Sequence, residues 1–118
     1  MSAMLKGYVN SELLITPGEL EQQRCGSVPP LMIDLRPAEK FAQGHIPGAV
    51  HLDLFGVSLI DTRPAPLEAF LWMVGHLLTT RGVSQDRPTV VYDEQSGIRA
   101  ARAFWFLELF GHSCPRVL

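Results

Sequence analysis

Apolar residues along this chain form two kinds of stretch, short unbroken runs and longer segments in which they recur every third or fourth position. Leu31-Met32-Ile33-Asp34-Leu35, after Pro29-Pro30, and Thr89-Val90-Val91-Tyr92, after Pro88, are short runs bounded by chain breakers. That pattern predicts strands buried on both faces, with Asp34 at the carboxyl end of the first. Ala49 to Leu52 predicts a further short strand. Leu67, Phe70, Leu71, Val74, Leu77 and Leu78 share one helical face and are followed by Gly82 as a stop. Gly97 to Phe110, ending at Gly111, is apolar almost all round and predicts a deeply buried helix. Thr16-Pro17-Gly18-Glu19 carries the signature of a helix start, a capping hydroxyl, a proline at the first helical position and a carboxylate three residues after the cap. Gly26 closes that helix. Pro37 to Gln43, stopped by Gly44, reads as a short helix, His45-Ile46-Pro47-Gly48 as a turn and residues 53–66 as a loop.

Short apolar strands alternating with helices imply crossover connections, hence an α/β fold with a mostly parallel central sheet and helices on both faces. Arg116-Val117-Leu118 begins one more strand whose edge lacks a covering segment, so the domain is expected to be truncated at its carboxyl terminus. The 118 residues suit a single domain without internal boundary or repeat. Hydrophobic residues make up 47% and charged residues 19%, a globular composition that excludes disorder. Ten Lys and Arg against 12 Asp and Glu give a net charge of −2 and no basic stretch, which argues against nucleic-acid binding. Apolar runs such as Ala103 to Leu107 are far below the roughly 20 residues of a membrane helix, so no membrane role is expected. Cys25 and Cys114 lie far apart and form no CxxC pair, which fits a reducing, cytoplasmic setting. His45, His51, His76 and His112 show no ligand spacing, so neither a metal nor a cofactor is expected.

Ligands of parallel sheets collect beyond the carboxyl ends of the strands, where helix amino termini concentrate partial positive charge. The connection to inspect is therefore Asp93, Glu94, Gln95, Ser96, Gly97, Ile98 and Arg99, which joins the strand ending at Tyr92 to the following helix. A loop of this kind wraps backbone N–H groups around one anion. LMIDLR at Leu31 to Arg36, FAQGHIPGAV at Phe41 to Val50 and TVVYDEQSGIRAAR at Thr89 to Arg102, in this order and spacing, resemble a rhodanese domain. Asp34, Arg36, His45 and Gly48 are the family-motif positions. The apolar helix with Phe104-Trp105-Phe106, followed by Phe110-Gly111-His112, is more narrowly similar to the amino-terminal domain of tandem sulfurtransferases acting on thiosulfate or 3-mercaptopyruvate.

The resemblance implies a loop cysteine that takes sulfane sulfur as a persulfide and passes it to cyanide or another thiophile. That chemistry needs a thiolate, whose pKa an amide-lined loop at a helix amino terminus lowers. This chain has Asp93 where the resemblance expects the cysteine, and neither Asp93 nor Glu94 accepts sulfur. The resemblance accordingly implies a noncatalytic domain. Its partners would be a second rhodanese domain in the same polypeptide, carrying the working cysteine, and a small sulfur-containing anion at the domain interface. The alternative is a stand-alone, catalytically inactive rhodanese-like binding or regulatory module. The seven residues from Asp93 to Arg99 also match the loop spacing of related cell-cycle phosphatases, but a carboxylate in place of the thiolate repels phosphate. A role for Asp93 as a general base ranks last, because loop amides and helix dipole stabilise its ionised form.

Asp34 and Arg36 are either a structural ion pair or a substrate-positioning pair; His45 orients the turn. Arg99 and Arg102 are either anion contacts or exposed helix charges. In mercaptopyruvate-type relatives an Asp and a His accompany the loop that Asp53 and Asp61 flank here, but no histidine occurs between His51 and His76. Cys114 beside Pro115 reads as an inert thiol.

Overall fold

The computed structural model of the chain describes residues 11–54, 57–94, 97–113 and 115–118. Thr16 caps helix α1 (Pro17–Arg24): its hydroxyl accepts the Glu19 amide at 3.2 Å, and the Glu19 carboxylate accepts the Thr16 amide at 3.0 Å. This reciprocal pair satisfies two of the donors that a helix start leaves open. Strand β1 (Leu31–Asp34), helix α2 (Ala38–Gln43), strand β2 (Val50–His51), helix α3 (Pro64–Thr80), strand β3 (Thr89–Tyr92), helix α4 (Ile98–Leu109) and strand β4 (Pro115–Val117) follow in order. The sheet has the order β2-β1-β3-β4, and every pairing between these strands is parallel.

Successive strand residues face opposite sides of a sheet, so one register divides the core in two. Ile33 lies beside Val91; their face, with Leu31 and Leu35, packs against Val74 and Leu78 of α3 and Ala100, Ala103, Phe106 and Leu107 of α4. Met32 lies beside Val90, and that face packs against Leu20 of α1 and against Ile15, which precedes that helix. All residues of β1 and β3 are buried, as expected for strands covered on both sides.

Three expectations are corrected. Helix α3 begins at Pro64, inside the segment expected to be loop, because prolines at 64 and 66 fall in the first turn, where amides lack intrahelical acceptors anyway. Helix α4 is buried on one side rather than all round: its small residues Ala100 and Ala103 approach the sheet, whereas Ile98, Trp105 and Leu109 are 72%, 56% and 49% exposed. The β4 edge is also not bare. Leu14 bridges Val117 in parallel, and the Ile15 amide donates to the Val117 carbonyl at 2.9 Å, so the segment before α1 covers the outer side of the last strand. Among the described residues no helix is long and apolar enough to cross a membrane.

Candidate functional site

Parallel pairing of β1 with β3 sets Asp34 beside Tyr92 at the carboxyl end of the sheet, directly below the two connections that carry the motif residues. Asp34 is fully buried. Its carboxylate accepts Nε of Arg36 at 3.1 Å on both oxygens, Nη2 at 2.7 Å and the Arg36 amide at 2.9 Å. Arg36 Nη2 also donates to the Gly44 carbonyl at 2.6 Å, tying the end of α2 to the sheet, and its guanidinium lies 5.9 Å from the Tyr92 ring centre. Burial alone would raise the pKa of Asp34, but hydrogen bonds from the Arg36 side chain and amide and from Tyr92 outweigh it and hold the carboxyl below its usual range. The geometry shows the ion pair, which joins the end of β1 to the end of α2.

Tyr92 was not singled out by sequence, although its place as the last strand residue before the loop was the available signal. Its hydroxyl accepts the Ile46 amide at 3.3 Å, locking the His45–Gly48 turn over β3. Burial pushes its pKa up to about 12, opposed by the Ile46 amide and supported by Asp34. The unfolded tyrosine loses its proton near pH 10, so the folded state, which keeps the proton longer, loses stability as pH rises from about 10 to about 12. We expect about 2–3 kcal/mol to disappear across that window in urea unfolding, and the difference between wild type and Tyr92→Phe to track it.

His45 lies over α2. Its Nδ1 donates to the Phe41 carbonyl at 2.8 Å, and its ring stacks on that of Phe41 with centres 3.7 Å apart, which is the turn-orienting role expected from sequence. Gly48 has a φ of +88°, a left-handed conformation that disfavours any side chain, and this explains the glycine in the HIPG turn. His51 Nε2 donates to the Arg36 carbonyl at 2.8 Å, a further clamp on the same connection that the sequence did not reveal.

The connection after β3 turns on Asp93. One carboxylate oxygen accepts the Glu94 amide at 2.7 Å, the other the Arg99 amide at 2.9 Å. Gly97, the residue before α4, has a φ of +72° and offers no capping side chain, so the carboxylate of Asp93 supplies the cap from the far side of the loop. The loop amides thus already hold an anion, and that anion belongs to the chain. Glu94 and Ile98 are exposed, while Gln95 and Ser96, also part of the expected cradle, lie outside the described residues, as does Cys114.

The two arginines of α4 are part-buried rather than exposed helix charges. Arg99 Nη1 donates to the Leu35 carbonyl at 3.4 Å, and Arg102 donates to the carbonyls of Leu54 at 2.9 Å and of Val57. They fasten neighbouring connections to α4 because those carbonyls have no strand partner there. Replacing Arg102 with alanine should therefore lower stability by about 1–3 kcal/mol in urea unfolding and speed limited proteolysis between Val57 and Arg63. Asp61 forms an exposed pair with Arg63, at 2.5–3.0 Å, just before α3. Asp53 is exposed.

Residues 16–118 match the family described as the rhodanese-like domain. Over 108 residues the chain is 33% identical to a thiosulfate sulfurtransferase of Pseudomonas aeruginosa, an alignment covering 85% of this chain and 36% of that protein. Over 83 residues it is 39% identical to a 3-mercaptopyruvate sulfurtransferase of Escherichia coli K12, covering 66% of this chain and 28% of the relative. A thiosulfate sulfurtransferase of Azotobacter vinelandii is 31% identical over 112 residues, covering 88% and 38%. The chain spans about a third of the length of these relatives.

Proposed function

The chain belongs to the rhodanese-like domain family, and from that membership we propose that it is the noncatalytic rhodanese domain of a larger sulfurtransferase. In this reading it forms one wall of a cleft that admits a small sulfur-containing anion, thiosulfate or 3-mercaptopyruvate, and a second rhodanese domain in the same polypeptide supplies the cysteine. The acceptor is a thiophile such as cyanide. The protein works in the cytoplasm, where its thiols stay reduced.

One observation carries the reading: the Asp93 carboxylate bonds the Glu94 and Arg99 amides. Sulfur transfer requires a thiolate that attacks the sulfane sulfur, forms a persulfide and releases the rest of the donor as an anion. A carboxylate at that place forms no persulfide, and its charge opposes a second anion on the same amides. The arrangement keeps the α4 amino terminus capped without substrate, which suits a domain that positions rather than reacts.

Incubation of the purified chain with thiosulfate and cyanide is expected to give no thiocyanate above buffer. Turnover that persists after Cys25→Ser with Cys114→Ser would overturn the noncatalytic assignment. The intact mass of the natural gene product tests the partner: a mass well above that of this chain supports a linked second domain, and a product of this chain's mass overturns it in favour of a stand-alone module.

A further inference from the structure

At the end of the sheet opposite Asp93, the turn after α1 stands over the first residues of β3 and the middle of β4, leaving a cleft of about 410 Å³. Its walls include Gln23, Ser27, Val28, Pro30, Pro88 and Arg116. Arg116 is in register with Val90, so it shares the sheet face on which Met32 and Val90 pack against Leu20 of α1. A sheet face under a helix is normally apolar, and a half-buried guanidinium there calls for a counter-charge. Among the described residues none is present: no carboxylate lines the cleft, and the Arg116 side chain forms neither an ion pair nor a hydrogen bond. The side chains of Gln23 and Ser27 are likewise without a described partner. Val28 and the two prolines give the cleft an apolar part.

We propose that this cleft is a binding site for a small organic monoanion of the carboxylate class, separate from the loop at Asp93. The carboxylate pairs with the fork of Arg116, Gln23 and Ser27 hydrogen-bond its flanks, and an apolar body rests on Val28, Pro30 and Pro88. The volume is within the ordinary range of small-molecule sites. Val90 and Asp93 are three strand steps apart, about 10 Å, so ligands at the two ends of β3 do not overlap. The bound anion bridges α1 to the last strand, and the folded state gains stability with ligand concentration.

The experiment is a titration of the isotope-labelled chain with benzoate at constant ionic strength, followed by the shifts of its backbone amide resonances. Benzyl alcohol serves as the uncharged analogue and inorganic sulfate as the anion without a body. Saturable shifts at Ser27, Val28 and Arg116, with a dissociation constant in the millimolar range or tighter, are expected, while Glu94 and Arg99 stay unmoved. Arg116→Gln should weaken binding at least about tenfold. Val28→Asp should do the same through repulsion, and because Val28 is 73% exposed this variant folds normally. The proposal fails if no saturable shift occurs, if both variants bind as wild type, if benzyl alcohol or sulfate alone reproduces the shifts, or if they centre on Glu94 and Arg99.

Discussion

Arg36→Met is expected to lower the stability of the fold by about 3–5 kcal/mol at neutral pH, a large share of what a single domain possesses. The substitution keeps the aliphatic stem and removes the donors that bond both oxygens of Asp34, a residue with no exposed surface. A carboxylate that is buried and no longer paired is far worse than one that was never present. The Gly44 carbonyl loses its donor as well, so the end of α2 is released from the sheet. The pH dependence carries the signature. In the wild type the folded pKa of Asp34 is depressed, so its contribution is present above the unfolded value near 3.9 and is lost as pH falls through the folded one. Without Arg36, burial acts on Asp34 with less opposition and raises its pKa, so the deficit of the variant should shrink as pH is lowered from neutral toward about 4.5. Urea midpoints of the two proteins at both ends of that range check this. A deficit independent of pH would mean that the loss comes from packing and not from the charge on Asp34.

Asp93→Cys, made with Cys25→Ser and Cys114→Ser, should turn an inert loop into a reactive one. The Glu94 and Arg99 amides that hold the carboxylate, together with the start of α4, would then stabilise a thiolate. We expect the new thiol to titrate below the usual value near 8.5 and to alkylate at pH 7 about tenfold faster than an exposed, unassisted cysteine. With thiosulfate, the thiolate forms a bond to the outer sulfur, the sulfur–sulfur bond of the donor breaks and sulfite leaves with its electron pair. The protein gains the mass of one sulfur atom, which intact mass spectrometry detects. Ordinary alkylation kinetics and no mass gain would show that the loop amides do not converge on an anion at position 93.

Both experiments rest on residues that differ in how far they could be read beforehand. The capping box at Thr16, the buried runs of β1 and β3 and the amphipathic face of α3 are local patterns: a period or a cap repeats within a few residues and needs no partner to be recognised. Asp93 was legible for the same reason, since its place just after a strand and before a helix defines its surroundings. The start of α3 was misread because prolines signal a loop unless they fall in a first turn, and only the observed Pro64 start shows that they do. The surroundings of α4 were misread because apolar residues all round a helix say how much surface is suited to burial, not how much is covered.

The α/β class, the strands buried on both faces and a loop carrying carboxylate where sulfur chemistry needs a thiol were determined by the order of residues alone. The partners were decided only in three dimensions: Tyr92 beside Asp34, Arg102 on the carbonyls of Leu54 and Val57, Leu14 along Val117, and Arg116 beside Gln23 and Ser27 in the lining of one cleft. Periodicity and capping are short-range along the chain, whereas strand register and the reach of a guanidinium join residues that only the packed sheet brings together.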